Sequence, residues 1–121
     1  MIKIQKKDFD IEKEIRKIKN IHKDVGAVSN FIGYVRNINK NKKVKSIDLE
    51  VYPSMAKKYL NDICNKVKKK FTINEILIIH RYGKLKINEK IVLIAVFSMH
   101  RKNGLKACDV IMDYLKKDAP F

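Results

Sequence analysis

The residues best equipped for chemistry in this sequence fall in three short clusters. His100-Arg101 follows the apolar run 91–99 and precedes an amphipathic stretch, so it lies where a strand hands over to a helix. A helix N-terminus carries unpaired N–H groups and the positive end of the helix dipole. A histidine and an arginine placed there form an anion site suited to phosphate. A plain polar strand terminus fits the same spacing, and the residues alone leave both readings open. His80-Arg81 is a similar pair at a strand end, but a hairpin follows it instead of a helix, so its expected role is structural.

The third cluster centres on Lys116, four residues after Met112 and eight after Cys108. That spacing puts it on the edge of a helical apolar stripe, whereas Lys117 is turned about 100° further round. A lysine pressed against apolar surface loses hydration and its pKa falls, which equips it as an acid, base or nucleophile near neutral pH. The competing reading is a lysine whose stem covers the core while its ammonium reaches water.

Arginine usage sharpens the choice of residues. With 24 Lys against 4 Arg, a position that keeps arginine is one where the planar, bidentate guanidinium matters. Arg36, Arg81 and Arg101 sit at strand ends, while Arg16 lies in a charged helical stretch and is expected on a solvated face. Cys64 and Cys108 fall on the inward stripes of two long helices and read as small buried hydrophobes. They have no metal-ligand spacing, so neither zinc nor another metal is expected, and two cysteines fit a reducing compartment. His22 is expected to face solvent, and Met55, Met99 and Met112 to lie in the core.

The elements that must hold these residues follow from periodicity. Residues 1–5 read as a short edge strand, and 10–21 as a helix with Ile11, Ile15, Ile18 and Ile21 at helical spacing and Asp10 as its cap. Residues 25–35 form a strand in which Gly26 and Gly33 allow close backbone approach or a bulge. Residues 36–43 are polar and read as a loop, and 44–52 alternate as a strand that Pro53 ends. From 54 to 70, Ala56, Tyr59, Leu60, Ile63, Val67 and Phe71 make a helical stripe. A strand at 73–80, a hairpin excursion at 81–90 and a strand at 91–99 covered on both faces follow. The last helix spans 103–117, with Leu105, Cys108, Ile111, Met112 and Leu115 inward. The pattern gives an α+β class: a mostly antiparallel sheet with packed helices.

The 121 residues suit one domain, 1–121, and 45% hydrophobic residues supply a core large enough to fold without staples. No apolar stretch spans a membrane and no signal-peptide core opens the chain, so a cytoplasmic protein without a membrane partner is expected. The net charge of +15 is tempered by composition, since Lys, Ile and Asn fill 52 of 121 positions, as an AT-rich genome would produce unaided. The lysines are scattered along the chain instead of clustered with aromatics, which argues against a nucleic-acid partner.

Five segments together resemble the catalytic (large) subunit of molybdopterin synthase. They are Gly-Ala-Val-Ser-Asn-Phe-Ile-Gly-Tyr-Val-Arg-Asn (26–37), Leu-Glu-Val-Tyr-Pro-Ser-Met-Ala (49–56), Ile-His-Arg-Tyr-Gly-Lys-Leu (79–85), Ser-Met-His-Arg (98–101) and Ile-Met-Asp-Tyr-Leu-Lys-Lys-Asp-Ala-Pro-Phe (111–121). They occur in the family's order and spacing from about residue 24 onward. The resemblance implies an α/β-hammerhead fold and a sulfurtransferase that turns cyclic pyranopterin monophosphate into the dithiolene of molybdopterin. Sulfur would arrive as the thiocarboxylate on the C-terminal Gly-Gly of a small ubiquitin-like carrier, with no metal and no cofactor. It implies that Arg36, His100 and Arg101 contact the substrate and its phosphate, that Lys116 is the essential lysine, and that Phe31 and Met112 line the pocket.

Helix geometry adds a condition. Arg101 and Lys116 are 15 residues apart, so a single straight helix between them separates them by about 22 Å. The expectation is a homodimer, and with two carriers a heterotetramer, in which His100 and Arg101 of one subunit complete the pocket of the other. The family pattern continues after Ala-Pro-Phe with Trp-Lys and a tail carrying a second functional lysine, and this sequence does not include them. Lys117 is a neighbouring lysine, but spacing does not put it in that role. The alternatives are a catalytically weak carrier-binding module lacking the tail and, behind it, a basic RNA-binding domain.

Overall fold

The computed structural model describes residues 1–39, 42–43 and 45–118. In chain order the elements are β1 (Ile2–Gln5), α1 (Ile11–Ile21), β2 (Ala27–Tyr34), β3 (Ile38–Asn39), β4 (Lys42–Lys43) and β5 (Ser46–Leu49). They continue with α2 (Pro53–Lys70), β6 (Glu75–Arg81), β7 (Gly83–Lys86), β8 (Lys90–Ser98) and α3 (Arg101–Asp118). The main sheet runs β1-β6-β8-β2, with β1 parallel to β6 and the other pairs antiparallel. The expected α+β class with a mostly antiparallel sheet is what forms.

The two central strands explain the long apolar run. Successive side chains of a strand point to opposite faces. Ile76 and Ile78 of β6, with Ile94 and Val96 of β8, therefore face α2 and α3, where Leu60, Val67, Ala107 and Ile111 meet them. Leu77, Ile79, Leu93, Ala95 and Phe97 face the other way, onto Ile18 of α1 and Phe9. Both faces are covered, so alternation disappears from the sequence of β8. Asp10 caps α1 as expected, accepting from the Lys13 N–H at 3.1 Å. Ile21, predicted on the same stripe as Ile18, is exposed.

Several expectations need correction. The loop at 36–43 contains a short ladder, Ile38 opposite Lys43 and Asn39 opposite Lys42. The strand at 44–52 is shorter, Ser46–Leu49, because its partner β7 offers four residues from Gly83 to Lys86. Val44 and residues 119–121 lie outside the described residues, as does the Lys117 side chain. The excursion at 81–90 is present, but β7 pairs with β5 and not with its neighbours in sequence. It turns back through Asn88, at φ 70, a left-handed conformation that asparagine tolerates better than most residues. Met55 and Met99 are exposed where core positions were expected, Met55 in the first turn of α2 and Met99 just beyond the buried strand. His22, expected in solvent, is half-buried at the C-terminal end of α1.

Candidate functional site

A cleft of about 240 Å³ opens between β2 and α3, and it is built from residues two elements present side by side. Ser29, Asn30 and Phe31 come from the strand; Leu105, Cys108, Asp109 and Met112 come from the helix. Phe31 and Met112, both singled out as pocket residues, are thus brought together. The Phe31 ring leans against Gly33, where an added Cβ would sit 3.5 Å from the ring and 3.0 Å from Val92. The strand register shifts between Gly33 and Tyr34, where Ile91 of β8 is the residue passed over, so the irregularity lies opposite Gly33 and the glycine itself serves close approach.

The phase of α3 decides what faces the cleft. Gly104, Ala107, Cys108 and Ile111 are buried toward the sheet. Leu105, Asp109, Met112 and Lys116 recur at helical spacing on a second stripe, about a third of a turn round from the first. Leu105 was expected inward; it is 59% exposed, because the small residues Gly104 and Ala107 take the core-facing positions beside it. That run of small residues in α3 was the available signal. Lys116 continues the outer stripe one turn past Met112 and is exposed. The desolvation proposed for it from its spacing is therefore absent in the single chain.

Three hydrogen bonds fix the chain that carries the other candidate residues. Arg36 follows Val35, whose N–H donates to the Glu89 carbonyl at 3.0 Å and whose carbonyl accepts from the Asn88 N–H at 2.8 Å. The far half of α3 is tied to α2 where the Tyr59 hydroxyl donates to the Tyr114 carbonyl at 3.0 Å. His100 and Arg101 stand at the start of α3, both exposed. Lys116, fifteen residues further along the same helix, lies at its opposite end from them. The helix between Arg101 and Lys116 is unbroken, as the 22 Å argument required.

The remaining candidates are structural. Arg81 is buried and donates through Nε to the Lys6 carbonyl at 3.1 Å and through Nη1 to the Lys90 carbonyl at 3.0 Å. Asp8 and Glu89 lie 3.8 and 3.9 Å from its guanidinium. The neighbouring His80 is buried, with Nδ1 2.8 Å from the Arg81 carbonyl, and burial holds its pKa below the ordinary histidine range. Arg16 is exposed and pairs with Glu12. Both cysteines are buried and free; burial pushes the Cys64 thiol up to about 11 and raises that of Cys108. Among the described residues no group of three or more His, Cys, Asp or Glu is placed to hold a metal, and no helix is long and apolar enough to cross a membrane.

The fold and cleft define an α+β protein with an open, largely apolar groove between β2 and α3, along a helix that carries the exposed Arg101 near one end and Lys116 near the other. The family model described as MoaE protein matches residues 4–118. The molybdopterin synthase catalytic subunit of Ralstonia nicotianae is 43% identical over 120 residues, 99% of this chain and 68% of that one. The MoaE protein of Burkholderia ambifaria superposes with a TM-score of 0.91 at 33% identity, over 99% of this chain and 78% of that one. The molybdopterin synthase structure from Staphylococcus aureus gives 0.88 at 33% identity, over 98% and 85%. This chain belongs to the MoaE family, the catalytic subunits of the enzyme molybdopterin synthase.

Proposed function

We propose that this chain transfers sulfur from the C-terminal thiocarboxylate of a small ubiquitin-like carrier to cyclic pyranopterin monophosphate, giving the dithiolene of molybdopterin. The groove between β2 and α3 takes the end of the carrier, with Phe31 and Met112 as its apolar walls. Arg36, His100 and Arg101 hold the anionic pterin, and Lys116 assists attack by the carrier's sulfur and moves protons at the pterin. Each product takes up two sulfurs, so two spent carriers leave per turnover. The excess of basic residues steers an anionic substrate and an acidic carrier inward.

The observation that carries this reading is the single helix α3, with Arg101 at one end and Lys116 at the other. A small pterin cannot touch both, and a homodimer resolves the separation: His100 and Arg101 of one subunit complete the pocket holding Arg36 and Lys116 of the other. With one carrier on each subunit the assembly is a two-plus-two heterotetramer.

The test is a sulfur-transfer assay with purified protein, thiocarboxylated carrier and cyclic pyranopterin monophosphate, with Lys116→Ala run in parallel. Molybdopterin from the parent and none from the variant is the expected result. Carrier binding without product from either protein would overturn the catalytic reading in favour of a binding module.

A further inference from the structure

We propose that Ser98 is a positioning residue: buried between α3 and β2, it sets the backbone turn that presents His100 and Arg101. The inference rests on reading those two residues as substrate contacts, and it concerns how exposed side chains come to be aimed. The side chains of His100 and Arg101 are exposed in the single chain, so their direction is set chiefly by the backbone between β8 and α3.

That backbone is held from two sides. The Ser98 side chain has no exposed surface, and its hydroxyl donates to the His100 carbonyl at 2.6 Å. Gly104 closes over it from α3: a Cβ there would stand 2.7 Å from Ser98 Oγ and 2.8 Å from Ser29 Oγ. On the other side the Gly26 N–H donates to the Ser98 carbonyl at 2.9 Å, and a Cβ at Gly26 would stand 2.3 Å from the Met99 carbonyl oxygen. Two glycines therefore let β2 and α3 close on the turn, and the serine hydroxyl locks it. A buried hydroxyl can rotate, but any rotation away from the His100 carbonyl sacrifices its bond in a place water does not reach.

Ser98→Ala removes the lock with little change of volume. Gly104→Ala forces the hydroxyl aside while leaving it in the chain, and both variants are expected to give the same signature. At saturating carrier, KM for the pterin rises about three- to tenfold, the range of one buried hydrogen bond, while kcat and KM for the carrier stay near the parent's. In a double-mutant cycle, Ser98→Ala added to His100→Ala raises KM by less than the product of the two single effects, because part of what Ser98 does passes through His100 and the rest through Arg101. A lowered melting temperature with an unchanged pterin KM in both variants, while His100→Ala raises that KM, would overturn the positioning role alone. An unchanged pterin KM in His100→Ala would overturn the reading of the site on which the role rests.

Discussion

Arg101 and Lys116 stand at the two ends of one unbroken helix, about 22 Å apart along its axis and within about 60° of each other round it. The Leu105–Met112 stripe of the cleft lies between them on that face. The helix is thus a spacer with a cation at each end and an apolar groove in the middle. It serves two half-sites more naturally than one.

Leu105 separates groove from core. It is 59% exposed, so Leu105→Ala is expected to change stability by no more than about 0.5 kcal/mol while weakening carrier binding. Ile111→Ala, on the buried stripe of the same helix, is expected to cost about 2–5 kcal/mol. Denaturant titrations of both variants check the assignment, and similar losses in the two would contradict it.

Arg81 is a clasp and not a substrate contact. Replacing it by methionine leaves the Lys6 and Lys90 carbonyls without the bonds it donates, and a loss of about 2–3 kcal/mol is expected. Turnover per folded molecule should be unchanged. A stable Arg81→Met protein with impaired pterin binding would contradict the structural role.

His80 ties stability to pH. Burial lowers its pKa below the value of 6.5 it returns to on unfolding, so between the two values the unfolded chain binds a proton that the folded one does not. The contribution is fully present above pH 6.5 and is lost as the pH falls through the folded-state value. Urea midpoints at about pH 7.5 and pH 5.5 should fall for the parent and change less for His80→Gln. Equal slopes in the two proteins would assign the dependence to other groups.

Neither thiol is expected to take part in the proposed sulfur transfer. Burial holds Cys64 at about 11, and burial with the nearby Asp109 carboxylate raises Cys108, so thiolate is scarce at neutral pH. A thiol reagent should label the native protein far more slowly than the unfolded one, and Cys64→Ala with Cys108→Ala should retain sulfur transfer. Loss of transfer in a folded double variant would place a sulfur relay on this chain.

Much of this architecture is legible in the amino-acid sequence. Asp10, Pro53 and the apolar run 91–99 announce their elements through local chemistry, and Gly26 and Gly33 foretell close approaches that Met99 and Val92 supply. Phe31 and Met112 share the cleft, although the motif resemblance and not their periodicity singled them out. What stayed hidden depends on partners distant in sequence. The pairing of β5 with β7 sets where the strand after residue 43 begins, and no local pattern encodes it. Leu105 looks inward on hydrophobicity alone; the small Gly104 and Ala107 are the local sign against it, and the packing of Gly104 against Ser29 and Ser98 shows which face turns inward. The role of Ser98 likewise emerges only when residues 26, 29, 98 and 104 are seen together.

Subunit complementation tests the central claim most directly. Arg101→Ala and Lys116→Ala proteins are each expected to be inactive with carrier and pterin. Mixed and allowed to exchange subunits, they should recover up to about a quarter of the parent rate, because half the dimers then carry one intact composite site of their two. Two inactive variants that exchange subunits, as native mass spectrometry would register, yet recover no molybdopterin synthesis would contradict a site shared between chains.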